Sequence, residues 1–209
     1  MRRGRFIVFE GLDGSGTSTQ VYKLRDYIHK KGIKAEASNE PTNGPIGSAI
    51  RLAILGRVSI DAKALALAFA SDRIDHLHNQ HNGIIGALEK GVWVISDRYV
   101  LSSLAYQGID IDDEKWLAEI NRYAITPDLT VFVDTPVNIC TERIDVRSSE
   151  IELYHSKDKL SKIALKFIQA SSIERFVGTL VVADGSNNPE IVFNSYISYV
   201  DRMLSESAL

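Results

Sequence analysis

Eight residues near the amino terminus form a glycine-rich motif suited to binding phosphate. Residues 11–18 read G-L-D-G-S-G-T-S and match the pattern G-x-x-x-x-G-K-[ST], except that Thr17 stands at the lysine position. In this pattern, backbone N–H groups surround phosphate oxygens and the hydroxyl at the position of Ser18 holds Mg²⁺. The residues expected to surround the phosphates are Gly11, Asp13, Gly14, Ser15, Gly16, Thr17, Ser18 and Thr19.

Thr17 affects the expected rate of chemistry more than the expected binding of phosphate. The usual lysine brings a mobile positive charge to the transferring phosphates, whereas a threonine hydroxyl is neutral. Losing one such charge typically costs about 10² to 10³ in rate, or roughly 3 to 4 kcal/mol. Lys157 and Lys159 are local candidates to replace it. Lys23 is a poor candidate because it lies about one and a half helical turns further on.

An aspartate and an arginine follow a buried run of sequence. Asp97 and Arg98 come directly after residues 92–96, which read V-W-V-I-S. In a functional interpretation, Asp97 belongs to the Mg²⁺ shell, through water, and Arg98 holds a phosphate with two hydrogen bonds. The alternative is a structural ion pair between the two residues at the end of a strand.

Phe69, Arg73 and His76 share one face of a predicted helix, because they are separated by four and three residues. An aromatic ring can stack on a nucleobase while a guanidinium donates to a carbonyl on the base edge. The alternative is a core phenylalanine beside a surface arginine. We expect His76 to cap or pack, and Leu65 and Leu67 to lie in the core.

A third set of polar residues opens a helix soon after Arg98. Residues 102–108 read S-S-L-A-Y-Q-G. The hydroxyl and amide groups of Ser102, Tyr106 and Gln107 are suited to contacts with a sugar or a base.

The segment from about 145 to 159 is the most charged and least regular part of the chain, which predicts a mobile flap, or lid. Phosphoryl transfer spreads negative charge over the equatorial oxygens, so an arginine on a closing flap is a suitable catalyst. Arg143 and Arg147 are the candidates. The alternative is a solvated, charged helix end.

Composition restricts the class of protein. The chain has 209 residues, which predicts one domain over 1–209, and its 44% hydrophobic and 24% charged residues are ordinary for a globular enzyme. A net charge of −3 gives no indication of a nucleic-acid partner, and no apolar run predicts a membrane span. The amino terminus lacks an apolar signal region, so we expect a cytoplasmic protein. The single cysteine, Cys140, lies in an apolar helical stretch and is expected to be a packed thiol.

Five strand-like runs alternate with helical patterns and must position these residues. The predicted strands are 5–10, 34–38, 92–96, 129–134 and 179–183. This alternation predicts an α/β fold of three layers, with a five-stranded parallel sheet and helices on both faces. Ligands of such sheets bind beyond the carboxyl ends of the strands. The glycine-rich motif, Glu40-Pro41 and Asp97-Arg98 all follow predicted strands.

Taken in order, these motifs resemble the thymidylate kinase family, a member of the nucleoside monophosphate kinase group of P-loop proteins. The match covers nearly the whole chain, and several motifs in register are far more specific than one. The residues that carry the resemblance are 9–16, Glu40-Pro41-Thr42, Ile46-Gly47, Arg51, 69–73, His76, 97–99, Ser102-Ser103, 105–108, 127–129 and Asp134.

The resemblance implies a P-loop fold with a short lid, ATP as phosphoryl donor, Mg²⁺ as cofactor, conversion of dTMP to dTDP, and a homodimer. The residues it implies for catalysis are Asp13, Asp97, Arg98, Arg143 and Arg147, with Ser18 and Asp97 at the metal. The residues it implies for dTMP are Glu40, Pro41, Arg51, Phe69, Arg73, Arg98, Ser102, Tyr106 and Gln107. Because Ser15 is neutral, the lid arginines are expected to approach ATP.

The chain departs from the family pattern at two positions, and both changes remove positive charge. Asn39 replaces the arginine of the usual Arg-Glu-Pro, and Thr17 replaces the usual lysine. Two alternatives to a dTMP kinase therefore stay open at this point. One is a nucleotide-binding protein without activity or with weak activity, and the other is a kinase for another acceptor, such as dUMP, dCMP or a nucleoside.

Overall fold

Five strands form a parallel sheet at the centre of the molecule. In the computed structural model, which describes residues 3–147, 153–154 and 156–208, the strand order is β2-β3-β1-β4-β5. The strands are β1 Phe6–Gly11, β2 Ala35–Asn39, β3 Trp93–Asp97, β4 Leu129–Asp134 and β5 Thr179–Asp184. The expected α/β fold is confirmed. β4 has its predicted bounds, and the bounds of the other strands differ by at most one residue at each end.

Helices follow the strands and cover both faces of the sheet. They are α1 Thr17–Lys30, α2 Pro45–Ile54, α3 Ala62–His78, α4 Ile84–Glu89, α5 Val100–Tyr106, α6 Glu114–Ile120, α7 Val137–Arg147, α8 Lys157–Ala170, α9 Glu174–Val177 and α10 Pro189–Ala208, with a 3₁₀ turn at Gln107–Ile109. Among the described residues, no helix has the length and apolar character needed to cross a bilayer.

The core lies on both faces of the sheet because successive side chains of each strand point in opposite directions. Along β1, Phe6 and Val8 pack in the layer that contains α5 and α8. Ile7 and Phe9 pack in the opposite layer, against α1 and α10. Both layers are apolar, which explains why β1 reads as a nearly continuous hydrophobic run.

The helix α3 begins at Asp61, whose Oδ1 accepts hydrogen bonds from the N–H groups of Lys63 (2.9 Å) and Ala64 (3.3 Å). These two bonds cap the amino terminus of the helix. Leu65 is buried, but Leu67 is half exposed, so its predicted place in the core is wrong. The reason is geometric, since two residues separated by two positions lie about 200° apart around a helix of 3.6 residues per turn.

The strand register brings three loops together at one edge of the sheet. Phe9 of β1 and Asn39 of β2 are both register partners of Asp97 in β3. On the other side of β1, Gly11 pairs with Val133. The glycine-rich motif therefore leaves the sheet between the ends of β3 and β4.

Candidate active site

The glycine-rich motif forms a tight loop between β1 and α1. Gly14 has φ 80° and Gly16 has φ 103°, a left-handed conformation that favours glycine. A Cβ on Gly14 would lie 2.5 Å from the carbonyl oxygen of Cys140, so a larger residue does not fit there. No described side chain caps the amino terminus of α1, and its first turn has no acidic residue. The N–H groups of the first turn of α1 and the partial positive charge of the helix are thus available to an anion.

Thr17 is the first residue of α1 and is buried. Lys23, on the same helix, is turned away from the loop. Its ammonium group pairs with Glu190 and lies 5.1 Å from the ring centre of Phe193, both on α10. As the sequence predicts, Lys23 does not take the place of the absent lysine.

Arg143 of α7 lies against the loop. Its Nη1 donates to the carbonyl oxygens of Gly14 and Ser15, each at 3.2 Å, and its Nη2 donates to the carbonyl oxygen of Gly185 at 3.0 Å. This guanidinium joins the glycine-rich loop to the loop after β5. It places a fixed positive charge beside the loop from which the lysine is absent.

The rest of the predicted lid is described in part. The backbone of Arg147 ends α7, but its side chain and residues 148–152 and 155 lie outside the described residues. Lys157 is exposed at the start of α8. Lys159 donates to the carbonyl oxygen of Leu153 at 2.9 Å, and its Nζ lies 5.7 Å from the ring centre of Tyr154.

Asp97 and Ser18 offer oxygen ligands at the ends of β3 and the loop. The Ser18 hydroxyl donates to Asp97 Oδ2. Asp97 Oδ1 is buried and has no hydrogen-bond partner among the described residues. A carboxylate oxygen and a hydroxyl oxygen suit Mg²⁺, which usually binds one or two carboxylates together with substrate phosphates. The two residues therefore fit the predicted ion.

Arg98 forms its ion pair with Asp13 of the loop (Nη2 to Oδ1, 2.6 Å), not with the adjacent Asp97. Its Nη1 donates to the carbonyl oxygen of Gly11 at 2.8 Å and to Ser102 Oγ at 3.0 Å. The alternative of an Asp97–Arg98 pair at the strand end is thus wrong. Successive side chains of a strand point in opposite directions, and the chain turns at Arg98. The Asp97 carboxylate and the Arg98 guanidinium therefore have different partners.

The charge on Arg98 is stabilised by its surroundings. Burial lowers the pKa of Arg98, but the Tyr106 hydroxyl and the carboxylates of Asp13, Asp97 and Glu10 raise it, and the net shift is upward. The surroundings of Arg98 therefore favour its cationic form.

A cavity of about 270 Å³ opens beside Arg98 and Asp13. All nine residues that the resemblance implies for dTMP line it. They are Glu40, Pro41, Arg51, Phe69, Arg73, Arg98, Ser102, Tyr106 and Gln107. These residues come from the loop after β2 and from α2, α3 and α5, together with the turns at the ends of α5.

Arg73 is fully buried, so the alternative of a surface arginine is wrong. Its Nη2 lies 2.7 Å from Glu40 Oε2, and its Nε donates to the same oxygen at 2.9 Å. Glu40 Oε1 lies 3.1 Å from Nδ1 of His76, whose Nε2 contacts Ser38 Oγ at 2.5 Å. The carboxylate of Glu40 explains both the burial of Arg73 and the packed position of His76.

Three side chains at the end of α5 and beyond close the other side of the cavity. The Tyr106 hydroxyl donates to Asp13 Oδ2 at 3.0 Å and accepts the Asp13 N–H at 2.9 Å. Burial raises the pKa of Tyr106 well above its ordinary value. Gln107 Oε1 is buried without a partner among the described residues, so it is available to a donor on a ligand. Tyr154 packs edge-on against Tyr106, with ring centres 5.2 Å apart.

Besides Asp13, six more residues line this wall that were not among the nine assigned to dTMP. They are Asn39, Ile54, Leu55, Tyr99, Ser103 and Tyr154. Ser103 and Tyr99 directly follow the predicted residues Ser102 and Arg98, so their position in the sequence could have indicated them. Tyr154 lies within the predicted lid, 48 positions after Tyr106, and only the fold brings the two together.

Comparison with known proteins identifies the family. A family model described as thymidylate kinase matches residues 9–195. Two proteins named "Probable thymidylate kinase" are similar. One, from Thermococcus gammatolerans, is 44% identical over 157 residues (71% of this chain, 74% of the relative), and one, from Thermococcus onnurineus, is 35% identical over 209 residues (95% and 98%). A protein named "Thymidylate kinase" from Akkermansia muciniphila is 43% identical over 148 residues (70% and 69%). With this cavity beside a phosphate-binding loop, and a family match over most of its length, the chain belongs to the thymidylate kinase family.

Proposed function

We propose that the cavity beside Arg98 is the dTMP site and that the glycine-rich loop is the ATP phosphate site of one phosphotransferase reaction. The chain is a dTMP kinase, which transfers a phosphoryl group from ATP to dTMP and yields dTDP and ADP. One observation carries the assignment of sites: Asp13 belongs to the loop and also lines the cavity, where it pairs with Arg98. The two substrates therefore meet at Asp13.

On the donor side, the N–H groups of the loop and of the first turn of α1 bind the phosphates. Arg143 supplies the positive charge that Thr17 lacks, because it lies within 3.2 Å of two loop carbonyl oxygens. A positive charge held beside the loop stabilises the negative charge that develops on the transferred group. Arg147, in the segment at 145–159, is proposed to add to this charge.

On the acceptor side, Arg98 binds the dTMP phosphate and holds it toward the loop. Phe69 stacks on thymine. Arg73 uses its Nε–H on Glu40, both Nη2–H groups on Tyr99 O and Ser103 Oγ, and one Nη1–H on Asn121. Its second Nη1–H serves a carbonyl oxygen on the base edge. Gln107 Oε1 accepts a hydrogen bond from the base, and Tyr106 and Asp13 border the sugar. A base with an amino group in place of that carbonyl is disfavoured, because its amino N–H would face the N–H of Arg73 and neither group could accept a hydrogen bond.

Ser18 and Asp97 would hold Mg²⁺. When bound, the ion supplies charge neutralisation for the phosphates of ATP. The unpartnered Asp97 Oδ1 supports this assignment. We expect half-maximal activity of Asp97→Asn to need a higher concentration of Mg²⁺ than that of the wild type.

The protein works as a homodimer in the cytoplasm. The helices α2 and α3 support the dimer, because each exposes a large apolar side chain, Leu52 and Leu67 respectively. These side chains point away from the cluster that contains Ile50 and Leu65, and exposed apolar surface is typical of contact surfaces.

Release of ADP with dTMP, dUMP or dCMP as acceptor tests the proposed function. We expect turnover that requires ATP, Mg²⁺ and dTMP, with dCMP a much poorer acceptor. Arg98→Met, which removes the charge but keeps much of the volume, is expected to raise the KM for dTMP and leave the KM for ATP nearly unchanged. Background turnover with dTMP, while ATP still binds, contradicts the kinase. Robust turnover with dCMP and none with dTMP contradicts the proposed acceptor.

A further inference from the structure

Glu10 is a fully buried acid in β1, the strand that leads into the phosphate-binding loop. Its side chain enters the layer next to α5. A buried carboxylate is costly unless several hydrogen bonds compensate for the loss of water. Glu10 has such bonds, and all of the donors come from one short segment. Oε1 accepts the N–H groups of Tyr99 (2.9 Å) and Ser102 (3.3 Å), and Oε2 accepts the Ser102 hydroxyl (2.5 Å).

The Ser102 hydroxyl connects Glu10 to Arg98. Its single proton is donated to Glu10 Oε2, so its lone pairs are available to the guanidinium, and Arg98 Nη1 donates to it at 3.0 Å. Arg98 Nη2 in turn pairs with Asp13. A continuous series of hydrogen bonds therefore runs from the interior of the sheet to the acceptor cavity.

The backbone of Arg98 also depends on β1. Arg98 has φ 73°, in the left-handed region that a non-glycine residue rarely adopts. Its N–H donates to the carbonyl oxygen of Phe9 at 2.8 Å, and its own carbonyl oxygen accepts the Ser96 hydroxyl at 2.8 Å. The next N–H, that of Tyr99, is bound by Glu10. Two successive residues of β1 thus bind the backbone of the unusual turn.

A helix cap alone does not account for this arrangement. The bonds from Glu10 to the N–H groups of Tyr99 and Ser102 satisfy the amino terminus of α5, which any suitable acceptor could do. The bond from the Ser102 hydroxyl adds nothing to that cap. Its effect is to orient Ser102 Oγ as an acceptor for Arg98.

We propose that Glu10 is a positioning residue for the acceptor phosphate, which acts through Ser102 and the turn at Arg98 to hold the Arg98 guanidinium toward the cavity. This inference rests on the proposed role of Arg98 in binding the phosphate of dTMP. Glu10 does not touch the substrate. Its removal lowers the affinity for the phosphate group while contacts to the base and sugar stay the same.

The test compares the dissociation constants of dTMP and thymidine in the wild type and in Glu10→Gln, measured by calorimetry at pH 8, where Glu10 is ionised because its pKa is about 7. The glutamine has nearly the same size, but its NH₂ group donates where Oε2 accepts, so Ser102 Oγ then faces two donors. Hydrogen bonds to charged groups are the stronger ones, so we expect the preference for dTMP over thymidine to fall about tenfold or more. The affinity for thymidine is expected to stay within about twofold of the wild type, as uncoupled sites usually do.

Thr130→Val is the matched control. Thr130 is also buried in the sheet, and its hydroxyl donates to the carbonyl oxygen of Val177 at 2.8 Å, away from Arg98. Its loss of a buried hydrogen bond is expected to leave the preference for dTMP unchanged. Glu10→Asp, which keeps the carboxylate, is expected to recover part of the preference. If Glu10→Gln does not fold, Ser102→Ala removes the middle hydroxyl and is expected to lower the affinity for dTMP more than the affinity for thymidine.

Two results overturn the inference. The first also contradicts the proposed acceptor site, whereas the second leaves that site intact. A wild type that binds dTMP no better than thymidine contradicts the phosphate role of Arg98 and the proposed acceptor site with it. A wild type that prefers dTMP, together with a Glu10→Gln variant that keeps the preference or loses both ligands equally, contradicts the positioning role of Glu10 alone.

Discussion

Arg143 Nη1 donates to the carbonyl oxygen of Gly14 at 3.2 Å and so holds a guanidinium against the phosphate-binding loop. Arg143→Ala is therefore expected to lower kcat by about 10² to 10³, the usual cost of one preorganised charge stabiliser. Steady-state kinetics at saturating ATP and dTMP measure the effect. Arg122→Ala, which removes an exposed arginine far from the loop, serves as the control. A kcat equal to that of the wild type would show that the charge comes from elsewhere.

Thr17→Lys is expected to raise kcat, by up to about a hundredfold, because a lysine at the first position of α1 brings a mobile charge to the phosphates. Thr17→Met has a side chain of similar length without the charge and is expected to give no increase. In an Arg143→Ala background, Thr17→Lys is expected to increase kcat by a larger factor than in the wild type, because the lysine then replaces the charge lost with Arg143. Equal gains from lysine and methionine would contradict an electrostatic cause.

Phe69→Ala is expected to raise the KM for dTMP by about 10- to 100-fold, since stacking of an aromatic ring on a base contributes about 1 to 3 kcal/mol. The KM for ATP is expected to stay unchanged. Leu165→Ala removes a similar apolar volume from an exposed position of α8 and serves as the control. A parallel rise in both KM values for Phe69→Ala would indicate a loss of structure instead of a loss of stacking.

The stability of the wild type relative to Glu10→Gln is expected to fall as the pH rises from about 5 to 8. Burial raises the pKa of Glu10 from 4.5 to about 7, although the Ser102 hydrogen bond and the charge of Arg98 oppose the shift. Between these two values the folded protein holds a proton that the unfolded chain has released, so a higher pH favours unfolding. The shift corresponds to roughly 3 kcal/mol. Melting temperatures of both proteins at pH 5, 6, 7 and 8 test this, and a constant difference would contradict it.

The sheet and its polar edge follow from local patterns in the sequence. Residues 129–134 read L-T-V-F-V-D, bounded by Asp128 and by Pro136 shortly after, and they form β4 with the bounds expected. A parallel strand that is buried on both faces has so strong a hydrophobic signal that the sequence alone is sufficient. The residues that follow such strands are then expected at one edge, whereas the nine acceptor residues were named through the resemblance to the thymidylate kinase family.

The partners of charged groups could not be predicted in the same way. The sequence places Asp97 next to Arg98, yet the ion pair of Arg98 is with Asp13, 85 positions earlier. Arg73 was open to interpretation as a surface residue because Glu40, its partner, lies on a different element. Such pairs depend on loop conformation and on the relative positions of helices, which hydrophobic periodicity does not encode. The contact between Tyr154 and Tyr106 was unpredictable for the same reason.

The alignment of Phe9 with Asp97 in adjacent strands has a consequence for how this enzyme can change its substrate. Neighbouring strands lie about 4.8 Å apart whatever their side chains, because backbone hydrogen bonds set the spacing. Phe69, which we propose to stack on the base, packs instead against a small cluster between α2 and α3. Substitutions in that cluster are therefore expected to alter which base is accepted without altering the spacing between β1 and β3. Selection of the base and the placement of Asp97 thus depend on different parts of the fold.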